Sequence, residues 1–483
     1  MSFEETLNLT MLADFYELTM ANGYLEGGLE NRIAYFDIFF RKIPDNGGFA
    51  IMAGVEQVIR YLDKLQFNEE DIAYLRSKEL FSEKFLQYLS KFKFSCDVWM
   101  VPEGTPIFPH EPILTVRGPV IEAQFIETML LLTINHQSLI ATKANRIVRA
   151  AEGRPVMEFG SRRAQGYDGA IFGARASYIG GCVGTACTLA ERDFNIPAFG
   201  TMAHSWVQMF PSELEAFRAY AQTYPYDCVF LVDTYNVLKS GVPNAIKIFD
   251  EELAPRGIRP KGIRLDSGDI TYLSKQARKL LDRAGYPDCK IVVSNSLDEY
   301  IIRELLVQGA KVDSFGVGER LITSKSEPVF GAVYKLAAIE EDGIMTPKIK
   351  ISENVEKLTN PGFKQVWRFF DRETGKAIAD VITLADEEID ESRTYELFDP
   401  SHTWKRKRVT NFHARKLLVP AYVKGECVYD IPDLKTVRAY CQEQVDTLWD
   451  EVLRFENPHT YYVDLSKALW QLKEDLLAEY LIK

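Results

Sequence analysis

Residues 262–296, GIRLDSGDITYLSKQARKLLDRAGYPDCKIVVSNS, contain the pattern that decides the fold. The apolar run GIRL ends in a polar stretch, DSGD. The segment that follows, ITYLSKQARKLLDRAG, has the periodicity of a helix. A second apolar run, KIVV, then ends in SNS. A strand, a helix and a second strand at this spacing predict one βαβ unit of a parallel sheet.

The same pattern recurs on both sides of this unit. Seven short apolar runs, each ending in polar residues or glycine, lie between residues 154 and 319. They are RPVMEFGSRR, ASYIGG, IPAFGTMAHS, CVFLVDTY, GIRLDSGD, KIVVSNS and VDSFGVGE. Helical patterns such as ELEAFRAYAQTY and DEYIIRELLVQG lie between them. Seven such units predict an α/β barrel, and an open doubly wound parallel sheet is the alternative.

Changes in hydrophobic pattern and in charge content divide the chain into three predicted domains. Residues 1–135 predict an N-terminal α/β domain, in which NRIAYFDIFFRKIP alternates like a strand and FAIMAGVEQVIRYLDKL has a helical pattern. Residues 136–350 contain the predicted barrel. Residues 351–483 are rich in charge and predict a smaller C-terminal domain. FIETMLLLTINHQSLIATKANRIV, residues 125–148, predicts a long apolar helix of the kind that is buried.

Composition excludes several classes of protein. The formal net charge of −12 argues against binding to nucleic acid or to an anionic membrane. The seven cysteines form no C-x-x-C pair, so neither a zinc site nor a disulfide framework is predicted. The first residues, MSFEETLNLT, lack a basic stretch followed by an apolar one, and no apolar run is long enough to cross a bilayer. We therefore expect a cytoplasmic protein.

Polar residues gather where the predicted strands end. Ligands of parallel α/β folds bind at the carboxyl ends of the strands, so these residues are candidates for a binding site. They are Glu158, Arg162, Arg163, Thr201, His204, Asp233, Arg264, Asp266, Asp269, Ser294, Asn295, Gly316 and Gly318. The arginines among them would give this acidic chain the local positive charge that an anionic ligand needs.

Several of these residues also have purely structural interpretations. Asp269, and less readily Asp266, would cap the helix that begins immediately after them. The arginine pair in EFGSRR would be solvated. Gly316 and Gly318 would form a tight turn, and they are not a dinucleotide fingerprint because position 321 is Leu where a third glycine is due.

GTMAHSW, residues 200–206, places one of the six histidines between an apolar run and an amphipathic one. Ser205 and Gln208 have the spacing of a capping box, so His204 is predicted to stand just before a helix N-terminus. The free N–H groups and the helix dipole would stabilise a negative charge there, including a phosphate. No second histidine or cysteine lies at metal-ligand spacing. The residues thus predict a histidine that handles an anion, with a structural histidine as the alternative.

Several motifs resemble one known family in identity, order and spacing. They are DFYELTMANGY, FFRKIP followed by FAIMAGVEQVI, EFGSRRAQG, GTMAHSW, LVDTY, RLDSGD and FGVGERLITS. Spread over nearly the whole chain, they resemble the nicotinate phosphoribosyltransferases. The resemblance implies the type II phosphoribosyltransferase fold, an irregular α/β barrel beside an N-terminal α/β domain. It also implies a homodimer whose two subunits share their active sites.

The resemblance implies an activity as well. The family joins nicotinate to phosphoribosyl pyrophosphate in a ligase-type reaction coupled to ATP hydrolysis. The products are nicotinate mononucleotide and pyrophosphate, and the pathway is NAD biosynthesis. ATP would be a co-substrate and Mg²⁺ the cofactor, acting as a Lewis acid on the leaving pyrophosphate.

Individual residues take their expected roles from the family's motifs. His204 resembles the histidine that ATP phosphorylates. Phe159 and Tyr16 resemble the aromatic pair that encloses the pyridine ring, with Tyr16 coming from the partner subunit. Thr201 and Arg264 resemble contacts to nicotinate.

The remaining expected roles concern the phosphates. Arg162, Arg41 from the partner subunit, and Lys335 resemble the cations around the phosphates. Asp233 and Asp266 resemble carboxylates near the ribose and Mg²⁺, and Asp266 is the expected metal ligand. Four residues resemble the ribose-phosphate cradle: Ser294, Asn295, Gly316 and Gly318.

Two positions depart from the pattern of relatives. Ala186 stands where nicotinamide-using relatives have an acid, and its small side chain removes a charge that would repel nicotinate. Glu319 stands beside the predicted phosphate cradle, where relatives often have a small hydroxyl residue. A carboxylate there would need Arg320 or a metal ion to offset it.

Other functions compete with this interpretation. A relative that uses nicotinamide or quinolinate is the nearest, although the quinolinate enzyme does not use ATP, and GTMAHS argues against it. An inactive interaction protein on the same scaffold would be expected to lose His204, Arg264 or Asp266, and all three are present. Without the resemblance, the carboxylates of a barrel rim would favour a glycosidase.

Overall fold

The structure is a computed structural model that describes residues 8–352, 357–400 and 402–481. The chain divides into two compact units. Ile140–Pro328 form one, which we call the central unit. Met1–Leu139 and Val329–Lys483 together form the other, which we call the two-segment unit.

The described residues form sixteen helices and twenty-one strands. The helices are α1 Phe15–Glu26, α2 Val55–Asp63, α3 Glu69–Ser77, α4 Glu83–Leu89, α5 Val120–Phe125, α6 Glu127–Ala150, α7 Tyr167–Ile179, α8 Thr188–Phe194, α9 His204–Gln208, α10 Glu213–Thr223, α11 Val242–Ile248, α12 Ile270–Arg283, α13 Glu299–Val307, α14 Glu319–Ile322, α15 Leu434–Asp446 and α16 Lys467–Leu481. The strands are β1 Ile33–Phe39, β2 Ala50–Ile51, β3 Asp97–Met100, β4 Pro106–Ile107, β5 Leu114–Pro119, β6 Val156–Glu158, β7 Gly184–Thr185, β8 Val229–Leu231, β9 Gly262–Leu265, β10 Lys290–Ser294, β11 Ser314–Val317, β12 Val333–Glu341, β13 Ile344–Pro347, β14 Lys364–Asp371, β15 Ala377–Leu384, β16 Tyr395–Asp399, β17 His402–Val409, β18 Phe412–Lys416, β19 Val419–Val423, β20 Glu426–Cys427 and β21 Val463–Leu465.

The stretch at residues 262–296 forms the predicted βαβ unit. β9 and β10 pair in parallel, and α12 connects them. Asp269 is the N-cap of α12, and its carboxylate accepts the Tyr272 N–H at 2.9 Å. Ala277 and Leu281, four residues apart on one face of α12, are buried. The capping interpretation is therefore confirmed for Asp269, while Asp266 lies outside the helix, directly after β9.

The central unit is built around one six-stranded parallel sheet in the order β7-β6-β11-β10-β9-β8. From β8 to β11, each strand pairs with the next one along the chain, and the last strand, β11, pairs with the first, β6. A doubly wound sheet would instead reverse its order at a switch point. Among the described strands, no hydrogen-bonded pairing joins β7 to β8. The α/β class is thus confirmed, and the order is that of an irregular barrel opened between β7 and β8, whose full closure stays a prediction.

Five of the seven predicted runs form strands of this sheet, namely β6, β8, β9, β10 and β11. The prediction for ASYIGG is wrong, because its first four residues lie in α7. IPAFGTMAHS contributes only a single bridge, between Ala198 and Thr185. The pattern also missed β7, which has two residues and is too short to show a periodicity.

The two-segment unit contains a seven-stranded sheet in the order β13-β12-β1-β5-β3-β19-β20. One of its inner strands, β1, is the predicted NRIAYFDIFFRKIP strand, and it pairs antiparallel with both β5 and β12. The same unit also contains a four-stranded sheet in the order β18-β14-β15-β21 and the β16-β17 hairpin. The first sheet therefore takes strands from both ends of the chain, while the domain boundaries at residues 135 and 350 stay a prediction.

The long apolar helix predicted at residues 125–148 is confirmed as α6, Glu127–Ala150. Most of its residues are buried, as its low charge indicates. None of the described helices is both long and apolar enough to cross a membrane.

Candidate active site

Three neighbouring strands of the central unit end in a connected polar network. Arg264 of β9 donates from Nε to Ser294 Oγ at 2.8 Å and from Nη2 to Asp266 Oδ1 at 3.1 Å. The Ser294 hydroxyl, at the end of β10, donates to the same Asp266 oxygen. Because β9 and β10 are parallel neighbours, their carboxyl ends meet at one edge and place these three side chains together.

Asp233 joins this network from the end of β8. Its Oδ2 accepts the Asp266 backbone N–H at 3.0 Å and the Ser267 hydroxyl at 2.5 Å. Its other oxygen, Oδ1, is inaccessible to solvent and has no hydrogen-bond partner within the described part of the chain. A buried carboxylate oxygen without a donor is the type of atom that a cation or a ligand hydroxyl satisfies.

His204 is the first residue of α9, and this corrects the predicted capping box. Ala203, with an extended backbone, occupies the N-cap position, so Ser205 already lies inside the helix. His204 Nδ1 lies 3.1 Å from Thr234 Oγ1, and Nε2 lies 3.9 Å from Asp266 Oδ2. Because α9 has only five residues, its dipole adds little. The polar surroundings of the imidazole are therefore set by the side chains of Thr234 and Asp266 rather than by the helix dipole.

Phe159 follows β6, and two glycines make room for it. A Cβ atom at Gly316 would lie 2.5 Å from Phe159 Cδ2, and one at Gly318 would lie 3.0 Å from the Phe159 carbonyl oxygen. The guanidinium carbon of Arg264 is 5.7 Å from the centre of the Phe159 ring. The FGVG segment is thus more than a tight turn, since its glycines allow the aromatic ring to lie beside the arginine.

Glu158, the residue before Phe159, connects the ends of β6 and β7 through hydrogen bonds. Its fully buried carboxylate accepts the Gly160 N–H and, at 2.6 Å, the Thr185 hydroxyl. Its backbone carbonyl accepts the Ala186 N–H at 2.8 Å. Burial raises the pKa of Glu158, while the hydrogen bonds from the Thr185 hydroxyl and the Gly160 backbone N–H oppose that shift.

The other predicted residues of the central unit lie in segments that follow its strands or, for Thr201, the bridge at Ala198. Thr201 Oγ1 is inaccessible to solvent and has no partner among the described residues. Arg162 is exposed in the short turn Ser161–Arg163. Asn295 is exposed directly after β10 and has a φ of 94°, which few residues other than glycine adopt. Their phosphate and nicotinate roles stay predictions.

The negative charge of Glu319 is offset by Lys325, a residue that was not predicted from the sequence. Lys325 Nζ lies 2.7 Å from Glu319 Oε1, whereas Arg320 is bonded to Asp298. The hydrogen bond from Lys325 is the main reason why the pKa of Glu319 is lowered. The carboxylate beside the predicted cradle is therefore offset mainly by a lysine, and the charges of Arg163 and Arg320 add to its effect.

Tyr16, Arg41 and Lys335 belong to the two-segment unit. Tyr16 lies in the first turn of α1 and is 43% exposed; burial of its hydroxyl and a hydrogen bond to Glu127 raise its pKa. Lys335, in β12, donates to the Tyr334 carbonyl at 2.7 Å. Burial lowers the pKa of Lys335, and the positive charge of Arg41 adds to that shift. Arg41 Nε is inaccessible and has no partner among the described residues.

Three contributors to the site escaped the sequence analysis: Thr234, Ser267 and Thr185. Thr185 ends β7, and the other two lie within three residues after the end of a strand, so the strand-end rule could have named all three. Their importance depends on which side chain they meet across the sheet, and that pairing is not visible in a single sequence.

The chain matches three family models that together span most of its length. The nicotinate phosphoribosyltransferase (NAPRTase) N-terminal domain matches residues 11–135, the NAPRTase family matches residues 155–368, and the nicotinate phosphoribosyltransferase C-terminal domain matches residues 363–473.

Individual relatives agree with these matches. The nicotinate phosphoribosyltransferase of Bacillus subtilis (strain 168) is 44% identical over 472 residues, which cover 98% of this chain and 96% of the relative. The crystal structure of human nicotinic acid phosphoribosyltransferase superposes with a TM-score of 0.85 at 29% identity, covering 96% of this chain and 99% of the other. The nicotinate-nucleotide pyrophosphorylase of Pyrococcus furiosus superposes with a TM-score of 0.70 at 25% identity, covering 92% and 97%. This chain therefore belongs to the nicotinate phosphoribosyltransferase family.

Proposed function

We propose that the protein joins nicotinate to phosphoribosyl pyrophosphate while it hydrolyses ATP, in the salvage branch of NAD biosynthesis. The products would be nicotinate mononucleotide, pyrophosphate, ADP and phosphate. The observation that carries the proposal is the network of Arg264, Asp266, Asp233 and His204 at one set of strand ends. Family membership over nearly the full chain supports the same reaction.

Nicotinate would bind at Phe159, Thr201 and Arg264. The pyridine ring would stack on Phe159, and Arg264 would take the carboxylate in a charge-assisted pair. Two of the five guanidinium hydrogens of Arg264 are used by Ser294 and Asp266, which leaves others for a ligand. Thr201 Oγ1, which has no hydrogen-bond partner among the described residues, would bond to the substrate.

The phosphoribosyl donor would occupy the remainder of the strand ends. Arg162 and Lys335, with Arg41 of the partner subunit, would surround its phosphates. Lys335 supports this role, because an anion beside it would offset the burial that lowers its pKa. The cradle would consist of Ser294, Asn295, Gly316 and Gly318.

Mg²⁺ fits the carboxylates that are present. Magnesium in enzymes is usually held by one or two carboxylates together with substrate phosphates and water. Asp233 Oδ1, which is inaccessible and receives no hydrogen bond from the residues that the structure describes, is a suitable ligand atom, and Asp266 lies beside it in the same network. No group of three or more metal-binding side chains occurs within the residues described, so the substrate would complete the shell. The bound ion would stabilise charge on the departing pyrophosphate.

ATP would act through His204. A neutral imidazole nitrogen would attack the γ-phosphorus, a nitrogen–phosphorus bond would form, and the bond to the β-phosphate oxygen would break to release ADP. The contact with Thr234 orients the ring, and Asp266 lies on its other side. Water would later hydrolyse the phosphohistidine and release phosphate. The phosphate can promote substrate binding only as far as it favours the binding-competent state.

The reaction is tested by incubating the protein with labelled nicotinate, phosphoribosyl pyrophosphate, Mg²⁺ and ATP. We expect nicotinate mononucleotide, faster formation with ATP than without it, and little product from nicotinamide or quinolinate. Comparable catalytic efficiency with nicotinamide or quinolinate would contradict the proposed substrate.

His204→Ala tests the role of ATP separately. Incorporation of label from γ-labelled ATP should be lost, and ATP should no longer stimulate the slow synthesis that remains. His413→Ala, which removes an exposed histidine of β18, is the matched control and should be phosphorylated normally. If His204→Ala still takes up label or responds fully to ATP, another residue accepts the phosphate.

A further inference from the structure

The two-segment unit contains a large cavity that the proposed reaction does not use. Its volume is about 1150 Å³, and the β16-β17 hairpin, residues 459–465 and Lys473 of α16 form much of its wall. Ligand pockets usually measure about 300–1,000 Å³, so the space is sufficient for a nucleotide.

Aromatic side chains supply flat surfaces in this cavity. Trp404, in β17, is 76% exposed, and Tyr462 is 42% exposed. Phe398 and Tyr461 also line the wall but are buried. A tryptophan that exposes most of its surface beside a large cavity is available for stacking against an aromatic ring.

Lysines supply positive charge next to these rings. Lys405 Nζ lies 5.4 Å from the Trp404 ring centre, and Lys407 Nζ lies 5.8 Å from that of Tyr462. Lys473 Nζ donates to Asn360 at 2.9 Å, and burial lowers its pKa. The fourth cation, Arg406, is already paired with Glu396 at 2.8 Å. Three lysines are therefore placed to meet an anion.

Acidic residues offset this charge only in part. Asp399 lies 3.9 Å from Lys405 Nζ and also bonds to His402. Burial, reinforced by the charge of Asp399, raises the pKa of Asp464 to about 7, so about half of its population is neutral near that pH. In a chain of net charge −12, this cavity concentrates positive charge. Lysine ammonium groups act as point charges for phosphate.

We propose that this cavity binds a nucleotide, with the base stacked on Trp404 and the phosphates near Lys405, Lys407 and Lys473. A base supplies the flat ring, and a phosphate supplies the charge that three lysines would neutralise. All of the lining residues lie in the two-segment unit, so the inference does not rest on the proposed reaction.

The test measures binding of ADP, without Mg²⁺, by equilibrium dialysis. The wild type, an active-site variant Arg264→Ala and a cavity variant Trp404→Ala/Lys407→Gln are compared. Both cavity positions are exposed, so these substitutions leave the core intact. We expect the Arg264→Ala protein to keep one ADP site per chain, and we expect the cavity variant to lose at least tenfold in affinity at that site. Lys416→Gln, an exposed lysine of β18 outside the cavity, is the control and should change nothing.

Two further probes define the ligand. Adenosine, which lacks phosphate, should bind at least tenfold more weakly than ADP, and inorganic pyrophosphate should compete with ADP for the site. If the cavity variant binds as many ADP molecules per chain as the wild type, with the same affinities, the inference is wrong. It is equally wrong if the cavity variant changes only the oligomeric state, because the surface would then contact a second copy of the chain.

Discussion

Arg264 shows how much of the site depends on the surroundings of one side chain. Ser294 and Asp266 fix its guanidinium before any ligand is bound, and the Phe159 ring lies 5.7 Å from it. A cation held in place in this way loses little freedom when it meets a carboxylate, so in the proposed nicotinate site Arg264 would favour nicotinate over an uncharged amide.

A substitution at Ala186 tests whether the charge around the proposed pyridine site selects nicotinate. It is exposed directly after β7, and its N–H is bonded to the Glu158 carbonyl. We expect Ala186→Asp to lower kcat/KM for nicotinate at least about fivefold, since a like charge beside the substrate carboxylate costs about 1 kcal/mol or more. Nicotinamide use should fall less. Ala186→Asn, of similar size but uncharged, is the control. If the ratio of kcat/KM for nicotinate to kcat/KM for nicotinamide is unchanged in Ala186→Asp, position 186 lies away from the pyridine ring.

At the scale of elements, the hydrogen bonds of the Glu158 carboxylate join the end of β6 to the end of β7. Glu158 bonds to Gly160 on its own strand end and to Thr185 on the neighbouring one. The Thr185 oxygen in turn accepts the Cys187 N–H at 3.0 Å. One buried carboxylate therefore positions both the segment that carries Phe159 and the segment that carries Ala186.

Removing that carboxylate should loosen both segments. Glu158→Ala leaves buried donors of Gly160 and Thr185 without acceptors, at about 1–3 kcal/mol for each group. We expect a lower melting temperature and a kcat/KM for nicotinate reduced at least tenfold. Glu158→Gln keeps an acceptor oxygen and should retain most of both properties. Glu304→Ala, at an exposed position of α13, is the control. A Glu158→Ala protein as active as the wild type would refute this positioning role.

How far the sequence predicts the structure also becomes clear at this scale. The β9-α12-β10 unit was predictable because its periodicity and its cap are local to 35 residues. α7 was mistaken in part for a strand because ASYIGG is a short apolar run, which periodicity cannot assign. Site residues at strand ends were predictable, but the partners of His204, Glu158 and Glu319 were not. Those contacts depend on which strands become neighbours, and a single sequence does not specify that.

Glu17 attaches α1 to α6 through a buried carboxylate. Its Oε1 accepts both the N–H and the hydroxyl of Thr128, at 3.0 and 2.6 Å. Burial raises the pKa of Glu17 to about 7 from an ordinary value of 4.5, and Glu127 and Asp14 add to the shift. The folded protein therefore keeps a proton that the unfolded chain releases above about pH 4.5. The resulting stability is complete at low pH and is lost as the pH rises through about 7.

Glu17→Gln should remove this dependence on pH. Between pH 5.5 and 8 we expect the wild type to lose about 1–3 kcal/mol of unfolding free energy through Glu17. Gln keeps the acceptor oxygen but does not titrate, so the melting temperature of the variant should fall less over the same range. Scanning calorimetry of both proteins at several pH values measures the difference, and Asp464 titrates equally in both. Identical pH profiles would mean that Glu17 stays ionised in the folded protein.

At the scale of the whole molecule, the proposed reaction calls on residues of both units. Phe159, Arg162 and His204 lie in the central unit, while Tyr16 and Arg41 belong to the two-segment unit. Tyr16 is 43% exposed, and its neighbours Phe15 and Leu12 are 50% and 45% exposed. Apolar side chains exposed together at the start of a helix are typical of an interface. We therefore expect a homodimer in which Tyr16 and Arg41 complete the site of the partner subunit.

Mixing two inactive variants tests this arrangement. Tyr16→Ala and Arg162→Ala should each have little activity alone. In a hybrid dimer, one site would carry both defects and the other would carry none. Random mixing makes half of the dimers hybrids with one intact site of two, so about a quarter of the wild-type activity should return. Arg162→Ala mixed with Arg264→Ala is the matched control. Both of these residues lie in the central unit, so every hybrid site keeps one defect and no activity should return. Recovery in neither pair, in hybrids verified by two affinity tags, would mean that each subunit builds its site alone.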